Sequence, residues 1–480
     1  MNKLSRRHFF GQASCAALGS TAMLSSMVNL KLLNALAVPT IGGAQEDYRA
    51  LVCILLAGGN DSYNMMPPKS GEAYSNYQNT RADLALASES ILQLNPLTNS
   101  SMDFGLHPSM GDIKSLFDDG NAALVTNIGT LIEPIQSRTE YRSGLKKLPL
   151  GLFSHSDQIQ QWQTSVPQSR QAIGWGGKMA DLLADTNQNN NISMNISLSG
   201  RNVFQSGEMT MEYTISNQGN GAEGIEAFNG YSNNGFLDRI RRQAVDNLME
   251  DTYSDIFKST FANLTSDALA AQEEFSSAIA GVAPFTDKPS GDPAFSEHYL
   301  SQNLRMVAKT IAAREKLKMK RQTFFITFGG WDHHNEVLES QLYMLGVVSK
   351  ALKEFFDVLK NDLQLEDNVT AFTVSDFGRT LTSNGQGSDH AWGGNQIVVG
   401  GAVKGKEIYG QYPNLNLNDN PLNLSDRGTL IPTTSVDEYF AEMALWFGVS
   451  PNDLSTILPN ITNFYSPSSS QMPIGFLPNS

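Results

Sequence analysis

Short runs of consecutive apolar residues alternate along the chain with longer stretches in which apolar residues recur every three or four positions. Apolar runs bounded by turn residues are typical of strands that are buried on both faces. Six such runs are predicted as strands: residues 50–57, 122–128, 192–198, 323–328, 369–375 and 397–399. Residues 109–118 are predicted to be helical, and helical periodicity is clearest at residues 336–359 and 436–447. Because strands alternate with helices, we expect an α/β fold with a largely parallel sheet sandwiched by helices.

The middle of the chain, residues 200–297, differs from the rest in composition. It contains patches rich in Asn, Gly and Ser, followed by polar stretches with helical periodicity at residues 236–250 and 266–279. We interpret this region as a mainly helical or irregular insertion or cap on the α/β domain, because long insertions in surface connections cost little closure entropy. The last residues, 466–480, are rich in Ser and Pro and are predicted to be loose.

The composition is typical of a folded domain and argues against some classes of binding partner. Of 480 residues, 40% are hydrophobic, which is enough for a sizeable core. The 34 Lys and Arg against 48 Asp and Glu give a net charge of −14. Nucleic acid is therefore a poor candidate partner, because its binding depends on clustered cations. Two cysteines exclude a disulfide framework, and no G-x-G-x-x-G fingerprint follows a predicted strand to indicate a dinucleotide cofactor.

The N-terminus carries an export pattern. Arg6 and Arg7 precede a weakly apolar stretch rich in Ala, Gly and Ser, which closes at the small-x-small sequence Ala35-Leu36-Ala37. This order resembles a twin-arginine signal, which exports proteins that have already folded. We therefore predict a signal peptide at residues 1–37, a domain at residues 38–465, the export machinery as a partner, and a periplasmic or secreted location with no membrane span after signal removal. The alternative is a chance Arg pair in an amphipathic helix.

Three acidic residues follow three of the predicted strands. Asp61 and Asp332 each come after a strand through a pair of glycines, and Asp376 follows its strand directly. In open α/β sheets, ligands bind outside the carboxyl ends of the strands. If these strands are parallel, the three carboxylates lie on one rim of the sheet. The alternative is that each acid only caps a helix, which Asp does well.

Histidines strengthen the case for a metal. His333 and His334 lie beside Asp332, and Asp389 and His390 follow closely after the third strand-end acid. Carboxylate oxygens combined with imidazoles suit a divalent metal such as Zn²⁺ or Mn²⁺, with Mg²⁺ and Ca²⁺ possible but less favoured once His is included. The sequence thus predicts a metal site at the strand ends.

Six strings recur together in a known family. They are LVCILLAGGNDSYN at residues 51–64, GWDHHN at 330–335, SDFGR at 375–379, SDH at 388–390, GAVKG at 401–405 and IPTTSVD at 431–437. In this order they resemble a bacterial, twin-arginine-exported family of unknown function in the alkaline phosphatase/sulfatase-like superfamily. The resemblance spans about residues 48–449 and is weakest across residues 200–297. It implies an α/β core with metal ligands at strand ends.

The resemblance assigns roles to individual positions. Asp61 matches the metal-binding Asp of the first strand. Asp332 and His334 match the Asp and His of one metal, with His333 as the competing ligand. Asp376 matches the Asp of the superfamily's Ser-Asp-His-Gly motif.

His390 matches the late His of the superfamily. This chain departs from the pattern at Phe377, where the superfamily has a His. A second metal would therefore lose an imidazole, which Asp389 or His333 could replace.

No nucleophile is defined by a motif. The C/S-x-P-x-R string that sulfatases mature to formylglycine is absent from the sequence. Ser154 and Ser156 precede a helical segment at residues 158–164, where a helix N-terminus favours an anionic ester, and Ser62 is the rival. Both Ser154 and Ser156 could instead simply cap that helix. Arg379 could clamp an ester oxygen or form a surface salt bridge.

Three functions remain open from the sequence. The first is a metal-dependent hydrolase of phosphate or sulfate esters that acts on a small-molecule or saccharide substrate. The second is a non-catalytic exported binding protein that keeps the same fold, which the loss of an imidazole at Phe377 supports. In the third, the acids are purely structural and the function resides in the insertion.

Overall fold

The strands form where the apolar runs predict them. The computed structural model describes residues 47–98, 102–189, 191–222, 256–418 and 420–479, together with Ile240 and Asn247. The predicted signal at residues 1–37, and the predicted helix at residues 236–250 apart from two positions, lie outside the described residues. The strands are β1 (Arg49–Ala57), β2 (Leu92–Gln93), β3 (Gly105–Leu106), β4 (Ala122–Gly129), β5 (Asn195–Ser197), β6 (Tyr213–Thr214), β7 (Arg321–Gly329), β8 (Val369–Ser375), β9 (Gly394–Val399), β10 (Glu407–Tyr409) and β11 (Thr434–Ser435).

One large sheet organises the domain. Its strands are ordered β10-β4-β9-β8-β1-β7-β5-β6, with β11 beside β4, while β2 and β3 form a separate antiparallel pair. Among the described strands of the large sheet, β9 alone is antiparallel to its neighbours β4 and β8, and every other pairing is parallel. The predicted α/β fold with a largely parallel sheet is therefore confirmed. Sequence alone did not show that the strand predicted at residues 397–399 runs in the reverse direction.

Helices cover both faces of this sheet. They are α1 (Ser62–Met65), α2 (Gly71–Arg81), α3 (Gly111–Asp118), α4 (Arg138–Arg142), α5 (His155–Thr164), α6 (Trp175–Leu182), α7 (Ile256–Ala280), α8 (Tyr299–Ala312), α9 (Val337–Val358), α10 (Val436–Phe447) and α11 (Leu454–Ile457). No helix among the described residues is long and apolar enough to cross a membrane.

Alternate residues of β1 enter two different hydrophobic cores. Val52 and Ile54 pack into the core that contains α3, α8 and α9, whereas Leu51 and Cys53 pack into the core beneath α10. Successive side chains of a strand point to opposite faces, so a strand covered on both sides must be apolar throughout. Burial raises the pKa of the Cys53 thiol well above its ordinary value, which agrees with the sequence interpretation of a core cysteine.

The C-terminal segment differs from the loose tail predicted at residues 466–480. Phe476 and Leu477 are fully buried against α10. The buried Glu442 carboxylate of α10 accepts backbone N–H bonds from Ile474, Gly475 and Leu477 at 2.7–3.0 Å. The Ser- and Pro-rich composition did not predict this attachment, because the segment is held by backbone hydrogen bonds and by two apolar side chains.

The carboxyl ends of three central strands form the rim of interest. β8, β1 and β7 are adjacent and parallel, so the loops that follow them emerge side by side. The antiparallel β9 starts at the same rim, which brings the loop of residues 376–393 back to it. The helix α5 also begins here, because the Nδ1 of its first residue, His155, lies 2.6 Å from the Asp376 carboxylate.

Candidate metal centre

Glycines let the strand-end loops approach each other closely. Gly58 has a backbone φ of 123°, and a Cβ at this position would lie 2.4 Å from the Asp332 nitrogen. A Cβ at Gly59 would lie 2.6 Å from the Phe377 ring. Only glycine fits such a left-handed and crowded backbone. The paired glycines after β1 are therefore needed to bring the loops of β1, β7 and β8 together.

Four side chains converge at this rim. The Asp332 Oδ1 lies 3.0 Å from the His334 Nε2, 3.3 Å from the His390 Nε2 and 3.5 Å from the His155 Nε2. The His390 Nε2 is itself 3.0 Å from the Nε2 atoms of both His155 and His334. One carboxylate oxygen and three imidazole nitrogens thus form a compact set, of which Asp332, His155 and His390 make a three-residue group suited to a metal ion.

The other ring nitrogen of each imidazole is fixed by an acceptor. The Nδ1 atoms lie against the Asp376 carboxylate at 2.6 Å for His155, the Phe153 carbonyl at 2.8 Å for His390 and the Asp389 carboxylate at 3.1 Å for His334. We assign the N–H to Nδ1 in each ring because these acceptors require a donor. Each Nε2 of a neutral ring then carries a lone pair that faces the common centre.

Phe153 shows how the chain achieves one of these contacts. Its backbone φ of 70° is in the left-handed region, which is uncommon for a bulky residue. This conformation lies directly before α5 and presents the Phe153 carbonyl to the His390 ring. Unusual backbone conformations of this kind concentrate at functional sites.

Asp376 lies behind the cluster. It is fully buried, accepts the backbone N–H of Gly58 at 3.1 Å and holds the His155 ring. The structure therefore places it as the carboxylate that orients an imidazole, an arrangement common around bound metals. Its predicted role as a direct ligand stays a prediction.

Arg379 lies beneath Asp332 and is also fully buried. Its guanidinium donates to Asp332 and to the main-chain carbonyls of Gly58, Gly59 and Ser388. The alternative of a surface salt bridge is thus incorrect, because the side chain has no exposed area. Its role as a clamp on an ester stays a prediction, whereas its observed contacts hold the rim and Asp332 in place.

The protonation equilibria of the cluster reflect this packing. The hydrogen bond to Asp376 raises the pKa of His155 above its usual value. Burial lowers the pKa of His390, and the nearby His155 and Arg379 lower it further. Burial alone would raise the pKa of Asp332, but the Arg379 guanidinium outweighs it and the net shift is downward. The cluster thus favours an ionised Asp332 beside a neutral His390.

Asp61 is in a different environment from Asp332. Its carboxylate forms a fully buried ion pair with Arg81 of α2. Arg81 is fixed in turn by the Asn64 side chain and by the carbonyls of Thr380 and Leu381. The second carboxylate oxygen, Oδ1, is buried without a hydrogen bond among the described residues. Asp61 as a metal ligand stays a prediction.

The two other predicted ligands lie around the cluster. Asp389 orients His334 and forms an ion pair with Arg427 at 2.7 Å. His333 is buried with its ring 6.0 Å from that of Trp331, and burial lowers its pKa. Of the neighbours in sequence, the structure thus brings His334 rather than His333 into the set around Asp332.

His155 is the residue that sequence reasoning missed. It lies between Ser154 and Ser156, and the sequence interpretation considered only these hydroxyls. A His beside a helix start is a weak signal by itself, because its partners lie more than 170 positions away in the chain. His155 could have been found by treating every histidine of the sequence near the predicted rim as a possible metal ligand.

The candidate nucleophiles lie on the same turn. The Ser154 Oγ accepts the backbone N–H of Asp157 at 3.5 Å and lies 3.2 Å from the Ser156 Oγ. Ser154 therefore does cap α5, as the alternative interpretation expected. Ser156 is exposed, whereas the rival Ser62 is buried and its Oγ accepts the Asn395 backbone N–H at 2.8 Å. The nucleophilic roles stay predictions.

Phe377 occupies the position at which the resemblance noted in the sequence leads one to expect a His. Its ring lies 4.8 Å from the His155 ring and 4.6 Å from the His390 ring, measured between centroids. The phenyl group therefore packs against both imidazole rings and supplies no ligand atom.

Similar solved structures are remote from this chain. One is Ps i-CgsB in complex with k-i-k-neocarrahexaose, at 10% identity and a TM-score of 0.33, with 87% of this chain and 77% of that chain covered. Another is the integral membrane protein lipooligosaccharide phosphoethanolamine transferase A (EptA) from Neisseria meningitidis, at 9% identity and a TM-score of 0.27, with 92% and 70% covered. At TM-scores below 0.5, neither likeness carries an argument about this chain.

Sequence comparison is more decisive. No curated protein matches the sequence. In contrast, residues 48–430 match the profile of a family described as protein of unknown function, DUF1501. This match covers well over half of the chain and includes the Asp332 cluster. The chain therefore belongs to the DUF1501 family of proteins of unknown function.

Proposed function

We propose that this protein is an exported, metal-dependent hydrolase of phosphate or sulfate esters. The observation that supports it is the convergence of three Nε2 lone pairs and one carboxylate oxygen at the rim of the sheet. Two imidazole lone pairs 3.0 Å apart repel each other unless a cation or a proton lies between them. A divalent cation removes this repulsion at every nitrogen at once.

The donor set fits such a cation. Metal–nitrogen and metal–oxygen bonds of about 2.0–2.1 Å in a tetrahedral site place neighbouring donor atoms about 3.3 Å apart. The Asp332 Oδ1 and the His390 Nε2 lie 3.3 Å apart, and each lies 3.0–3.5 Å from the Nε2 atoms of His155 and His334. Asp332 and His390 are joined by His155 in the group whose donor atoms all lie within 4.8 Å of one another, and His334 is the alternative third ligand. Imidazole-rich ligation favours Zn²⁺ or Mn²⁺ over Mg²⁺ or Ca²⁺.

The residues around the centre have distinct tasks in this proposal. The metal would supply Lewis acidity at an ester oxygen and a lowered pKa for a bound hydroxyl or water. Asp376 and Asp389 hold the imidazoles in the ligating tautomer. Arg379 neutralises part of the charge on Asp332 and fixes its position. These contacts preorganise the site before substrate arrives.

The hydroxyls at the start of α5 are the candidate nucleophiles. Ser156 is exposed and follows His155 directly, so it is the more accessible of the two. Ser154 is committed to capping the helix. A Ser hydroxyl needs activation by a base or a metal to attack an ester, and the neighbouring centre would provide it. The substrate is a small-molecule or saccharide ester.

One observation favours a second candidate, a binding protein without catalysis. Phe377 fills the position at which the superfamily pattern has an imidazole, and Asp61 is neutralised by Arg81 rather than by a second metal. A single metal without an assigned nucleophile would suit retention of an anionic ligand. Turnover is therefore the measurement that separates the two candidates.

The first experiment measures metal content. The purified full chain is analysed for Zn²⁺ and Mn²⁺ beside Asp332→Asn and, as a matched control, Glu339→Gln, which removes an exposed acid from the first turn of α9. We expect about one equivalent of metal in the wild type and the control and a large loss in Asp332→Asn. A wild type that stays metal-free after incubation with these ions would overturn the proposal.

The second experiment measures turnover. The metal-loaded protein is assayed with p-nitrophenyl phosphate and p-nitrophenyl sulfate, beside Ser156→Ala and Ser154→Ala. Loss of hydrolysis in Ser156→Ala with metal content unchanged would support the hydrolase. Absence of turnover across a wider set of esters, with intact metal, would replace it with the binding protein.

A further inference from the structure

A large groove lies away from the metal centre, along the outer side of α8. It has a volume of about 880 Å³ and lies between this helix and the segment of residues 282–297. Tyr299, Gln302, Arg305 and Lys309 line it, at positions that share one helical face because they are separated by three or four residues. Phe285 and Phe295 form the opposite wall, with ring centroids 5.9 Å apart.

Two cations in this groove lack a carboxylate partner among the described residues. Arg305 and Lys309 are both half-buried and lie one helical turn apart. The Arg305 guanidinium makes one hydrogen bond, to the Asn217 carbonyl at 3.3 Å, and its Nε is buried without a partner. Burial lowers the pKa of Lys309, and the neighbouring Arg305 lowers it further with no acid to compensate. Bringing two like charges together out of water is costly unless a ligand of opposite charge offsets the cost.

The acids of the groove lie at its exposed margin. Asp287 and Glu297 are exposed, whereas the two cations are deeper. The deeper part of this pocket is therefore cationic, although the chain carries a net charge of −14. It points to an anionic ligand that is drawn in by local contacts rather than by the overall field of the protein.

The remaining lining residues define the shape of this ligand. Phe285 and Tyr299 offer aromatic surface, and Tyr299 is 51% exposed. The amide side chains of Asn217 and Gln302 can donate to and accept from hydroxyl groups. A sugar ring that carries a sulfate or phosphate group uses aromatic surface, amides and cations together. A groove with these three kinds of contact is typical of an orienting site for a polar, ring-shaped ligand.

We propose that this groove binds an anionic saccharide, with Arg305 and Lys309 holding its charged substituent and Tyr299 and Phe285 contacting its ring. The topology places the Tyr299 end of α8 toward the carboxyl ends of the strands, because α8 runs back to the start of β7 through the short segment of residues 313–320. The Tyr299 end of the groove therefore lies toward the end of the sheet that carries the candidate metal centre. The binding does not depend on the metal.

The test is a titration of the full chain with a sulfated galactan hexasaccharide and with its desulfated counterpart, followed by calorimetry. We expect the desulfated sugar to bind at least about 10-fold more weakly. Arg305→Gln and Lys309→Gln should each weaken binding of the sulfated sugar by about 10-fold or more. Lys350→Gln is the matched control, because it removes an exposed cation from the neighbouring α9 and should leave the affinity unchanged.

Four further measurements complete the test. Thermal unfolding of each variant shows that it is folded, and Tyr299→Ala should weaken both sugars without changing their ratio. The proposal would be overturned if Arg305→Gln bound the sulfated sugar as tightly as the wild type does. It would also be overturned if the wild type bound poly-glutamate as tightly as it binds the sulfated sugar. Metal content of the same variants should be unchanged, so failure of the groove and failure of the metal centre are distinguishable.

Discussion

Two turns of this protein share a sequence pattern and differ in chemistry. Gly58 and Gly59 after β1 lead to Asp61, and Gly329 and Gly330 at the end of β7 lead to Asp332. Both acids lie at the carboxyl ends of adjacent parallel strands. Asp61 has no exposed side-chain area and is paired with Arg81, whereas the Asp332 side chain is 47% exposed and lies among three imidazoles.

The difference teaches that the neighbours, rather than the turn, decide what a strand-end acid does. A buried guanidinium satisfies the charge of Asp61 permanently, and removing either partner would leave an uncompensated charge. Asp332 also receives a guanidinium, from Arg379, but the same Oδ1 also faces the imidazole cluster. One turn therefore holds its acid in a buried ion pair, whereas the other leaves its acid half-exposed at the site that we propose binds a metal.

The largest effect expected is on stability, from breaking the Asp61 ion pair. Arg81→Met should lower the free energy of unfolding by about 3–5 kcal/mol, because it leaves Asp61 buried and unpaired. Urea denaturation measures this change. The double variant Arg81→Met/Asp61→Asn should recover a large part of the loss, whereas an Arg81→Met protein as stable as the wild type would remove the distinction between the two turns.

A second prediction concerns the imidazole that the sequence did not identify. His155→Ala should lower the affinity for Zn²⁺ by more than about 100-fold, since loss of a ligand exceeds the 10–100-fold effect of losing an outer-shell partner. Competition with a fluorescent chelator gives the affinity. His298→Ala, which removes an imidazole before α8, is the control and should bind as the wild type does. Equal affinity of His155→Ala and the wild type would exclude His155 as a ligand.

A third prediction separates orientation from ligation. Asp376→Asn should lower the affinity for Zn²⁺ by about 10–100-fold, because the carboxylate that fixes His155 loses its charge. Asp389→Asn should have a smaller effect, since Asp389 is more exposed and is shared with Arg427. The same chelator assay ranks the two variants. The reverse order would show that Asp389 is nearer to the metal than the geometry indicates.

The smallest effect comes from another buried acid, Asp437, which forms no ion pair among the described residues, in contrast to Asp61. Burial raises the pKa of Asp437, at the start of α10, to about 7. The folded state then holds this proton more tightly than the unfolded state, so stability falls as pH rises toward and through 7. Between pH 6 and pH 8, the wild type should lose about 1.4 kcal/mol more than Asp437→Asn. Parallel unfolding curves for the two proteins across this range would contradict the assignment.

The sequence predicted the sheet and the rim well because both depend on local patterns. Continuous apolar runs mark β1, β7 and β8, and the acids that follow them were identified by position alone. The partners of those acids were not accessible in the same way. Arg81 lies on α2 and His155 on α5, and only the packing of those helices brings them to Asp61 and to Asp332.

The reversed direction of β9 has a consequence for how the centre behaves when empty. The segment of residues 376–393 leaves the sheet at the end of β8 and returns at the start of β9, with both ends held by neighbouring strands. The two halves of this segment are joined by main-chain hydrogen bonds, from the Ala391 N–H to the Gly378 carbonyl and from the Thr380 N–H to the Asp389 carbonyl. A segment held in this way has little conformational entropy left to lose. Metal binding would therefore cost little free energy for ordering the segment. Amide hydrogen exchange across this segment should then be nearly the same with and without metal.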